Sequence, residues 1–243
     1  MLKPIKFQPR ISERKIHRKD KLSEAALGWP SHRSILLSVI WLAALLLSAC
    51  SSTLLDERFH GTELTRWAAI DDPETIEGPS EWRVEQDGWL HQRSNIWGRR
   101  GDFLGRWYGT FLVAGDESWR DYRLSLTARP EDDDGFGVVF RFQDPEHFYR
   151  LLFIEDGRNG GPIARLDKRE GADYTEIWSA PRGYRMGAEV FIEVEVDGDI
   201  IRARLNGQSI IEAKDGSYRN GKVGLFCYAQ SNQAFDDVKV VGR

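Results

Sequence analysis

Acidic side chains at alternate positions of the segment EVEVDG are the first candidates for chemistry in this chain. Glu193, Glu195 and Asp197 stand two residues apart, and a β-strand with this spacing carries all three carboxyl groups on one face. Two carboxyl groups about 5 Å apart serve a retaining glycoside hydrolase as nucleophile and acid. Here, however, Asp197 falls in an Asp-Gly turn signal, and Val194 and Val196 are typical of a strand that buries its other face. The segment therefore predicts an outward-facing acidic ladder and no catalytic pair.

Other motifs of catalytic or metal-binding sites are missing from the sequence after residue 50. His60, His91 and His147 have no HxH or HExxH spacing that would indicate zinc. Neither a GxSxG motif nor a glycine-rich phosphate loop follows a strand and opens a helix. We therefore predict no catalytic residue. A serine-type triad stays an open alternative that no residue pattern supports.

An uncharged apolar segment near the N-terminus predicts export. Residues 34–49, SILLSVIWLAALLLSA, follow a stretch rich in lysine and arginine, which is typical of a signal peptide and shorter than the roughly 20 residues of a transmembrane helix. The run ends on LSAC, which resembles the lipobox of bacterial lipoproteins, so Cys50 is expected to carry lipid at the mature N-terminus. Two lipid chains or more would anchor the protein stably in a membrane. An uncleaved signal anchor and a chance cysteine near a cleavage site are the alternatives.

These features predict three segments and a location in the cell envelope. We expect a signal peptide with a basic extension over 1–49, a short lipidated tether over 50–53 and a folded domain over 54–243. By resemblance to bacterial lipoproteins, Ser51 after the cysteine favours the outer membrane where the cell has one.

The charge of the predicted mature chain argues against nucleic acid as a partner. Residues 51–243 carry 25 lysines and arginines against 35 aspartates and glutamates, a net charge of about −10. Binding to a phosphate backbone requires clustered positive charge. Cys227 is the one cysteine after Cys50 and lies in the apolar run VGLFCYA, so we expect a buried side chain without a disulfide.

Short alternating segments predict a domain that is nearly all β. About a dozen such runs recur after Cys50, separated by Gly, Asn, Asp and Pro. Asn206-Gly207 is the strongest hairpin signal, because both residue types tolerate the positive φ that a two-residue turn requires. Strands at this spacing predict an antiparallel two-sheet sandwich or a barrel.

Three segments resemble the concanavalin A-like lectin/glucanase superfamily. They are 78–98 (GPSEWRVEQDGWLHQRSNIWG), 116–151 (DESWRDYRLSLTARPEDDDGFGVVFRFQDPEHFYRL) and 221–240 (GKVGLFCYAQSNQAFDDVKV). They are most similar to bacterial jelly-roll domains related to laminin-G-like and 3-keto-disaccharide-hydrolase-type modules. The resemblance covers nearly all of the mature chain and implies a jelly-roll sandwich. It leaves function open, because this fold serves binders, enzymes and spacers.

The hairpin from 135 to 153 holds three ligand-binding candidates. Strict alternation places four apolar residues on one face of its first strand: Phe136, Val138, Phe140 and Phe142. Arg141, Tyr149 and Arg150 would then line a concave surface, where such folds often bind sugar hydroxyls with aromatic and guanidinium groups. The alternative is that the rings form core and the arginine stems cover it.

A second group of ligand-binding candidates lies in the irregular segment SNIWGRRGDFLGRWYG. Trp97, Trp107 and Tyr108 stand there beside several arginines, and loop aromatics of this kind form a plausible ligand rim. The alternative is that the segment packs over one end of the sandwich.

Calcium is the one cofactor that the sequence suggests. The acidic run 131–134 offers hard oxygen ligands, but a loop of like charges is more often solvated, and we favour that interpretation. In jelly-roll sugar-binding modules, an Asp of the last strand and an acidic residue of the first strand bind a structural calcium ion. This resemblance implies a site made by Asp236 with Asp56 or Glu57. The alternative is that Asp236 caps a turn.

The sequence thus predicts a lipid-anchored envelope protein with a non-catalytic domain that binds a glycan. A glycoside-active enzyme of the 3-keto-disaccharide-hydrolase type is the first alternative, and a structural envelope lipoprotein is the second. An enzyme requires at least two carboxyl groups converging on a pocket, whereas a binder requires an aromatic groove.

Overall fold

The structure is a computed structural model that describes residues 51–61, 63–98 and 105–243. Cys50 and the predicted signal peptide lie outside the described residues. Within them, the chain forms fifteen β-strands and a short 3₁₀ helix, Gly157–Asn159. The described part contains no helix long and apolar enough to cross a membrane. The strands are β1 (Thr53–Glu57), β2 (Trp67–Asp71), β3 (Trp82–Val84), β4 (Leu90–Gln92), β5 (Thr110–Ala114), β6 (Tyr122–Pro130), β7 (Gly135–Asp144), β8 (His147–Ile154), β9 (Ile163–Glu170), β10 (Asp173–Ala180), β11 (Val190–Asp197), β12 (Ile200–Leu205), β13 (Gln208–Lys214), β14 (Lys222–Tyr228) and β15 (Gln233–Gly242).

The strands form two antiparallel sheets. The first sheet has the order β13-β12-β11-β6-β15-β4-β3, and β1 also pairs with β15. The second sheet has the order β10-β9-β8-β7-β14-β5-β2. The predicted all-β fold with two antiparallel sheets is therefore confirmed. β1 begins at Thr53, one residue before the predicted start of the domain.

The predicted hairpin at Asn206-Gly207 joins β12 to β13. Both turn residues have positive φ, 50° for Asn206 and 78° for Gly207. This conformation matches the twist of the flanking strands, so the turn fixes the pairing of Leu205 with Gln208.

The acidic ladder of β11 forms ion pairs on the outside of the first sheet. Glu195 lies opposite Arg202 and also contacts Arg123 and Arg243 at 3.2 and 2.7 Å. Partial burial opposes ionisation of Glu195, but the hydrogen bond from Arg123 and the nearby arginine charges outweigh it and lower the pKa of this carboxyl group. These contacts give the ladder a structural role on this sheet.

Apolar residues fill the space between the sheets and also cover the outer face of the second sheet. The interior cluster draws on both sheets and includes Leu124, Leu126, Val138, Phe140 and Leu225. A separate outer-face cluster is built mainly on the second sheet and includes Phe111, Val139, Leu152 and Phe226. Cys227 lies in the interior, where burial raises the pKa of its thiol, as its apolar neighbours predicted.

A β-bulge in β7 breaks the predicted alternation. Arg141 has φ 47°, and the pairing of β7 with β8 shifts register between Phe140 and Asp144. The extra residue reverses the direction of the following side chains, so Phe142 joins the outer-face cluster and not the interior cluster of Phe140. The prediction that Phe142 shares a face with Phe140 is therefore wrong.

Candidate functional site

The candidate site lies on the outer face of the second sheet. Trp107 and Tyr108 precede β5 and are 6% and 7% exposed. Trp107 belongs to the outer-face cluster, and Trp97 packs against that cluster. The ring of Tyr108 contacts Tyr174 of β10 edge-on, with 6.0 Å between centroids. The structure thus brings the three predicted rim residues to one face, where they pack mainly against the sheet.

A layer of buried charges lies on the same face. Arg150 of β8 and Asp167 of β9 are fully buried and stand opposite each other in the β8–β9 register. The Arg150 Nη2 and Nε atoms donate to the two carboxylate oxygens of Asp167 at 2.9 and 3.2 Å. Arg169 forms a second buried ion pair, with Asp72. Buried charges of this kind are tolerated only when both partners are hydrogen-bonded.

The buried arginine also holds the segment above it. Arg150 donates to the backbone oxygens of Trp107 and Arg106 at 2.8 and 2.9 Å. Its guanidinium carbon lies 4.7 Å from the ring centroids of both Tyr174 and Phe226, which satisfies the cation on both sides. Of the three hairpin candidates, Arg150 therefore reaches this face as a buried support beneath Trp107.

Trp107 is fixed by further contacts. It has φ 46°, an unfavourable value for a bulky residue that persists only where the surroundings impose it. Its indole Nε1 donates to the backbone oxygen of Asn159 at 3.0 Å, and the Arg165 guanidinium lies 5.0 Å from the centroid of its ring. The ring therefore has one defined position.

A cavity of about 290 Å³ opens beside this ring; we call it the Trp107 pocket. It is lined by Gly105, Trp107, Gly157, Arg158, Asn159, Gly160 and Tyr228. The 3₁₀ helix positions Arg158 and Asn159, because Asp156 caps its N-terminus through the Arg158 amide and Gly160 ends it at φ 91°. The Arg158 side chain is 86% exposed. Among the described residues, this lining contains aromatic rings and hydrogen-bond donors but no carboxyl group.

The acidic run beside this pocket is partly buried. The Asn159 amide donates to Asp134 at 2.6 Å, and the amide and hydroxyl of Ser231 donate to Asp132 at 3.1 and 2.7 Å. Burial, together with the like charges of Asp132, Asp133 and Asp156, raises the pKa of Asp134 to about 6, although the Asn159 hydrogen bond opposes the shift. The sequence favoured a solvated loop for this run, whereas the structure shows Asp132 and Asp134 partly buried and hydrogen-bonded to Ser231 and Asn159.

The other two hairpin candidates lie away from the pocket. Arg141 is fully buried and donates to the backbone oxygens of Tyr218 and Arg120 at 3.0 and 3.1 Å. Tyr149 belongs to the interior cluster, where its ring stacks on Phe140 and its hydroxyl donates to Asp215. Consecutive residues of β8 face opposite sides of the sheet, so Tyr149 and Arg150 do not share a surface. The bulge separates Arg141 from both.

Two of the three candidate calcium ligands at the termini, Asp56 and Glu57, are paired with cations, and the third, Asp236, accepts a hydrogen bond from the backbone amide of Asp237. β1 and β15 are neighbours, as the resemblance implied. However, Asp56 lies 3.4 Å from Lys239, and Glu57 lies 3.1 Å from Arg66. Among the described residues, Asp236 forms no three-carboxylate group with these two side chains. The group that meets this condition is Asp132, Asp133 and Asp134.

Sequence reasoning missed the residues that organise this face. Arg165, Asp167 and Arg169 alternate along β9 with Ala164 and Leu166 of the interior. This pattern in ARLDKR indicates a strand with a charged face. That face is buried because Trp107 and Tyr108 cover it. Strand alternation alone does not predict that a loop segment packs over a charged face.

Comparisons with known proteins agree with this architecture. The CBM66 carbohydrate-binding module from Bacillus subtilis is 17% identical, with a TM-score of 0.55 over 71% of this chain and 93% of that one. A Bacillus subtilis protein with a galectin-like fold is 12% identical, with a TM-score of 0.57 over 79% and 97%. A xylan β-1,4-xylosidase from Bacillus halodurans C-125 is 13% identical, with a TM-score of 0.54 over 76% of this chain but 38% of that one.

At these identities the structural likenesses show the fold alone. No curated protein matches the chain in sequence. A sequence model of a domain family does match, over residues 53–241, which covers the whole sandwich from the first strand to the last. The chain belongs to the family of 3-keto-alpha-glucoside-1,2-lyase-like domains.

Proposed function

We propose that this protein binds a glycan in the Trp107 pocket without cleaving it, and that lipid on Cys50 holds it at the cell envelope. The observation that carries the proposal is the fixed Trp107 ring at the wall of a cavity that is also lined by the polar side chains of Arg158, Asn159 and Tyr228. A pyranose presents C–H groups on its faces and hydroxyl groups on its rim. An aromatic wall with a few convergent donors is complementary to that pattern.

The fixed position of Trp107 favours binding. The ring is held by the Asn159 oxygen and by the Arg150 contacts to its backbone, so a ligand that stacks on it would order few side chains. Low ordering cost raises affinity for a given contact area. The Arg158 side chain is exposed, so its guanidinium group can reach a ligand. A guanidinium group donates well to hydroxyl and carboxylate oxygens.

Family and fold support a glycan as the ligand class. The family description names a glucoside, and one structural neighbour is a carbohydrate-binding module. Because β1 begins at Thr53, a lipid on Cys50 would hold the sandwich close to the membrane surface.

The test is a glycan array followed by titration calorimetry with the best ligand. The key variant is Arg158→Ala, because this exposed side chain contributes little to folding, and Arg185→Ala is the matched control on another exposed loop. We expect Arg158→Ala to weaken binding about tenfold or more, as loss of a charged hydrogen bond does, and Trp107→Ala to abolish it. Trp89→Ala, which removes a partly buried tryptophan elsewhere, should bind normally. A silent array, or full affinity in both Arg158→Ala and Trp107→Ala, would disprove the proposal.

A sugar-cleaving activity is the second candidate function. One observation favours it, namely the raised pKa of Asp134, about 6, beside the pocket residue Asn159. A carboxyl group of this kind suits proton transfer near neutral pH. Incubation with 3-keto-glucosides and analysis of the products tests this alternative. Product formation that Asp134→Asn abolishes would favour the enzyme over the binder.

A further inference from the structure

We infer that the acidic loop 132–134, together with Gln230, binds a calcium ion. This inference is independent of glycan binding, because it rests on oxygen atoms outside the lining of the Trp107 pocket. It also differs from the calcium site that the resemblance implied at the chain termini.

The first observation is the convergence of three carboxyl groups. One carboxylate oxygen from each of Asp132, Asp133 and Asp134 lies within 4.8 Å of the other two. Calcium–oxygen distances of about 2.3–2.6 Å allow two ligand oxygens on opposite sides of one ion to be about 5 Å apart. The three oxygens are therefore already close enough to share an ion.

The second observation is charge. In the described part of the chain, none of the three carboxyl groups forms an ion pair with lysine or arginine, whereas the buried Asp167 and Asp72 are both paired with arginine. Arg158, on the neighbouring 3₁₀ helix, pairs with Asp156 and is largely exposed. The negative charge of the loop is thus left for a cation from solution.

The third observation is a buried oxygen without a donor. Gln230 is fully buried, and its amide nitrogen donates to the backbone oxygens of Asp132 and Asp134 at 3.2 and 2.7 Å. The amide is therefore held against the acidic loop, but its Oε1 atom is buried and has no hydrogen-bond partner. Buried polar atoms are almost always satisfied. A neutral amide oxygen is a ligand that calcium accepts, and this one belongs to a side chain that contacts the acidic loop through its nitrogen.

The loop is fixed from two further sides, which favours a defined site. The backbone amides of Glu155 and Asp156 donate to the backbone oxygen of Asp133 at 3.0 and 2.7 Å. The Tyr184 hydroxyl donates to the backbone oxygen of Asp134. A loop that is already ordered pays less entropy when it binds an ion.

The ligand chemistry selects calcium among common metals. The set contains carboxyl and amide oxygens and no histidine or cysteine, which disfavours zinc and copper. Magnesium prefers a small octahedral shell with several waters, whereas calcium tolerates irregular protein oxygens at longer distances.

The experiment is calorimetric titration of Ca²⁺ into the full chain, purified in detergent and stripped with a chelator. We expect a dissociation constant of roughly 10⁻⁴ to 10⁻³ M, as in extracellular modules. Asp133→Asn preserves shape and touches no arginine, so it should fold normally and bind calcium at least about tenfold more weakly. Asp134→Asn should behave alike. Asp236→Asn is the matched control and should bind as the parent does.

A second readout confirms the location. Tb³⁺, a calcium analogue, should emit when Tyr184 is excited, because its ring lies beside the loop, and Asp133→Asn should lose that emission. Melting curves in chelator establish that each variant is folded. The inference is overturned by no binding up to about 10 mM Ca²⁺, by parental affinity in both loop variants, or by loss of binding in Asp236→Asn. Trp107→Ala should keep parental calcium affinity, so a failure of glycan binding is distinguishable from a failure of this site.

Discussion

Replacement of the buried arginine tests whether the charged layer supports the candidate site. Arg150→Met removes both hydrogen bonds to Asp167 and both donors to the backbone oxygens of Trp107 and Arg106. Arg165 remains near Asp167, with its Nε atom 3.1 Å from a carboxylate oxygen, but that atom lacks hydrogen-bond alignment. The variant therefore leaves a fully buried carboxylate with weaker compensation.

The expected loss is about 3–5 kcal/mol of unfolding free energy, which is typical when one partner of a buried ion pair is removed. That is a large fraction of the stability of an ordinary domain. Urea unfolding followed by tryptophan fluorescence measures it, with unchanged m-values as the check on a two-state transition. Arg150→Lys keeps the charge but not the two-pronged contact and should lose an intermediate amount.

The matched control is Arg123→Met on the first sheet. The Arg123 side chain is 46% exposed, and its partner Glu195 keeps ion pairs with Arg202 and Arg243. We expect a loss below about 1 kcal/mol there, because exposed ion pairs contribute little. A loss in Arg150→Met no larger than in the control would refute the reasoning about the buried layer.

Three further predictions concern turns and pH. Gly207→Ala should destabilise the protein by about 1–2 kcal/mol, because φ 78° is unfavourable for a residue with a Cβ atom, and urea unfolding measures it. Asp237→Gly should leave stability equal or raise it by up to about 1 kcal/mol, since Asp237 has φ 52° at the β15 bulge; a clear loss contradicts this account. In chelator, the raised pKa of Asp134, about 6 against an ordinary 3.8, means that the folded state binds the proton more tightly than the unfolded state. Stability from this group should therefore rise as the pH falls from 7 to 4, by about 1 kcal/mol after allowance for its partial exposure. Asp134→Asn should lack this rise. Urea unfolding at each pH measures it, and identical pH profiles in the parent and in Asp134→Asn would contradict the prediction.

Strand alternation was sufficient to predict the fold class. In VFIEVEVD the residues Val190, Ile192, Val194 and Val196 are all buried, as period-2 burial requires. The Asn206-Gly207 turn then fixes the next pairing without any long-range information. Local pattern and tertiary structure agree here because one face of a half-buried strand packs in the core, so every second residue is apolar.

Alternation failed where the backbone departs from the regular strand. Nothing in the residue types of GFGVVFRFQ marks Arg141 for φ 47°. The contacts that hold Arg141 in this conformation involve Tyr122 and Tyr218, which are distant in sequence. One bulged residue sends Phe142 and Phe140 to opposite faces. The predicted grouping of Arg141 with Tyr149 and Arg150 overlooked this bulge. It also overlooked the regular alternation of β8, which sends the consecutive residues Tyr149 and Arg150 to opposite faces.

The candidate site depends on register and on loop contacts that a single sequence does not contain. The charges of β9 were visible as an alternating pattern, but the pairing of Arg150 with Asp167 follows from the β8–β9 register. Likewise, Asn159 meets Asp134 across 25 positions of sequence. Trp107 was found because aromatic residues in an irregular segment are conspicuous, whereas its small polar neighbours are not.

The charged layer explains how a loop residue can serve as a rigid wall. An apolar layer beneath Trp107 would hold the segment by area alone, and apolar contacts are not directional. Arg150 instead offers donors in a fixed planar arrangement, two to Asp167 and two to successive backbone oxygens, so a shift of the segment would break several hydrogen bonds at once. The Trp107 indole then bonds Asn159, which in turn bonds Asp134 of the acidic loop. The pocket wall and the acidic loop therefore share Asn159 as a common hydrogen-bonding residue, which fixes both to the same 3₁₀ helix.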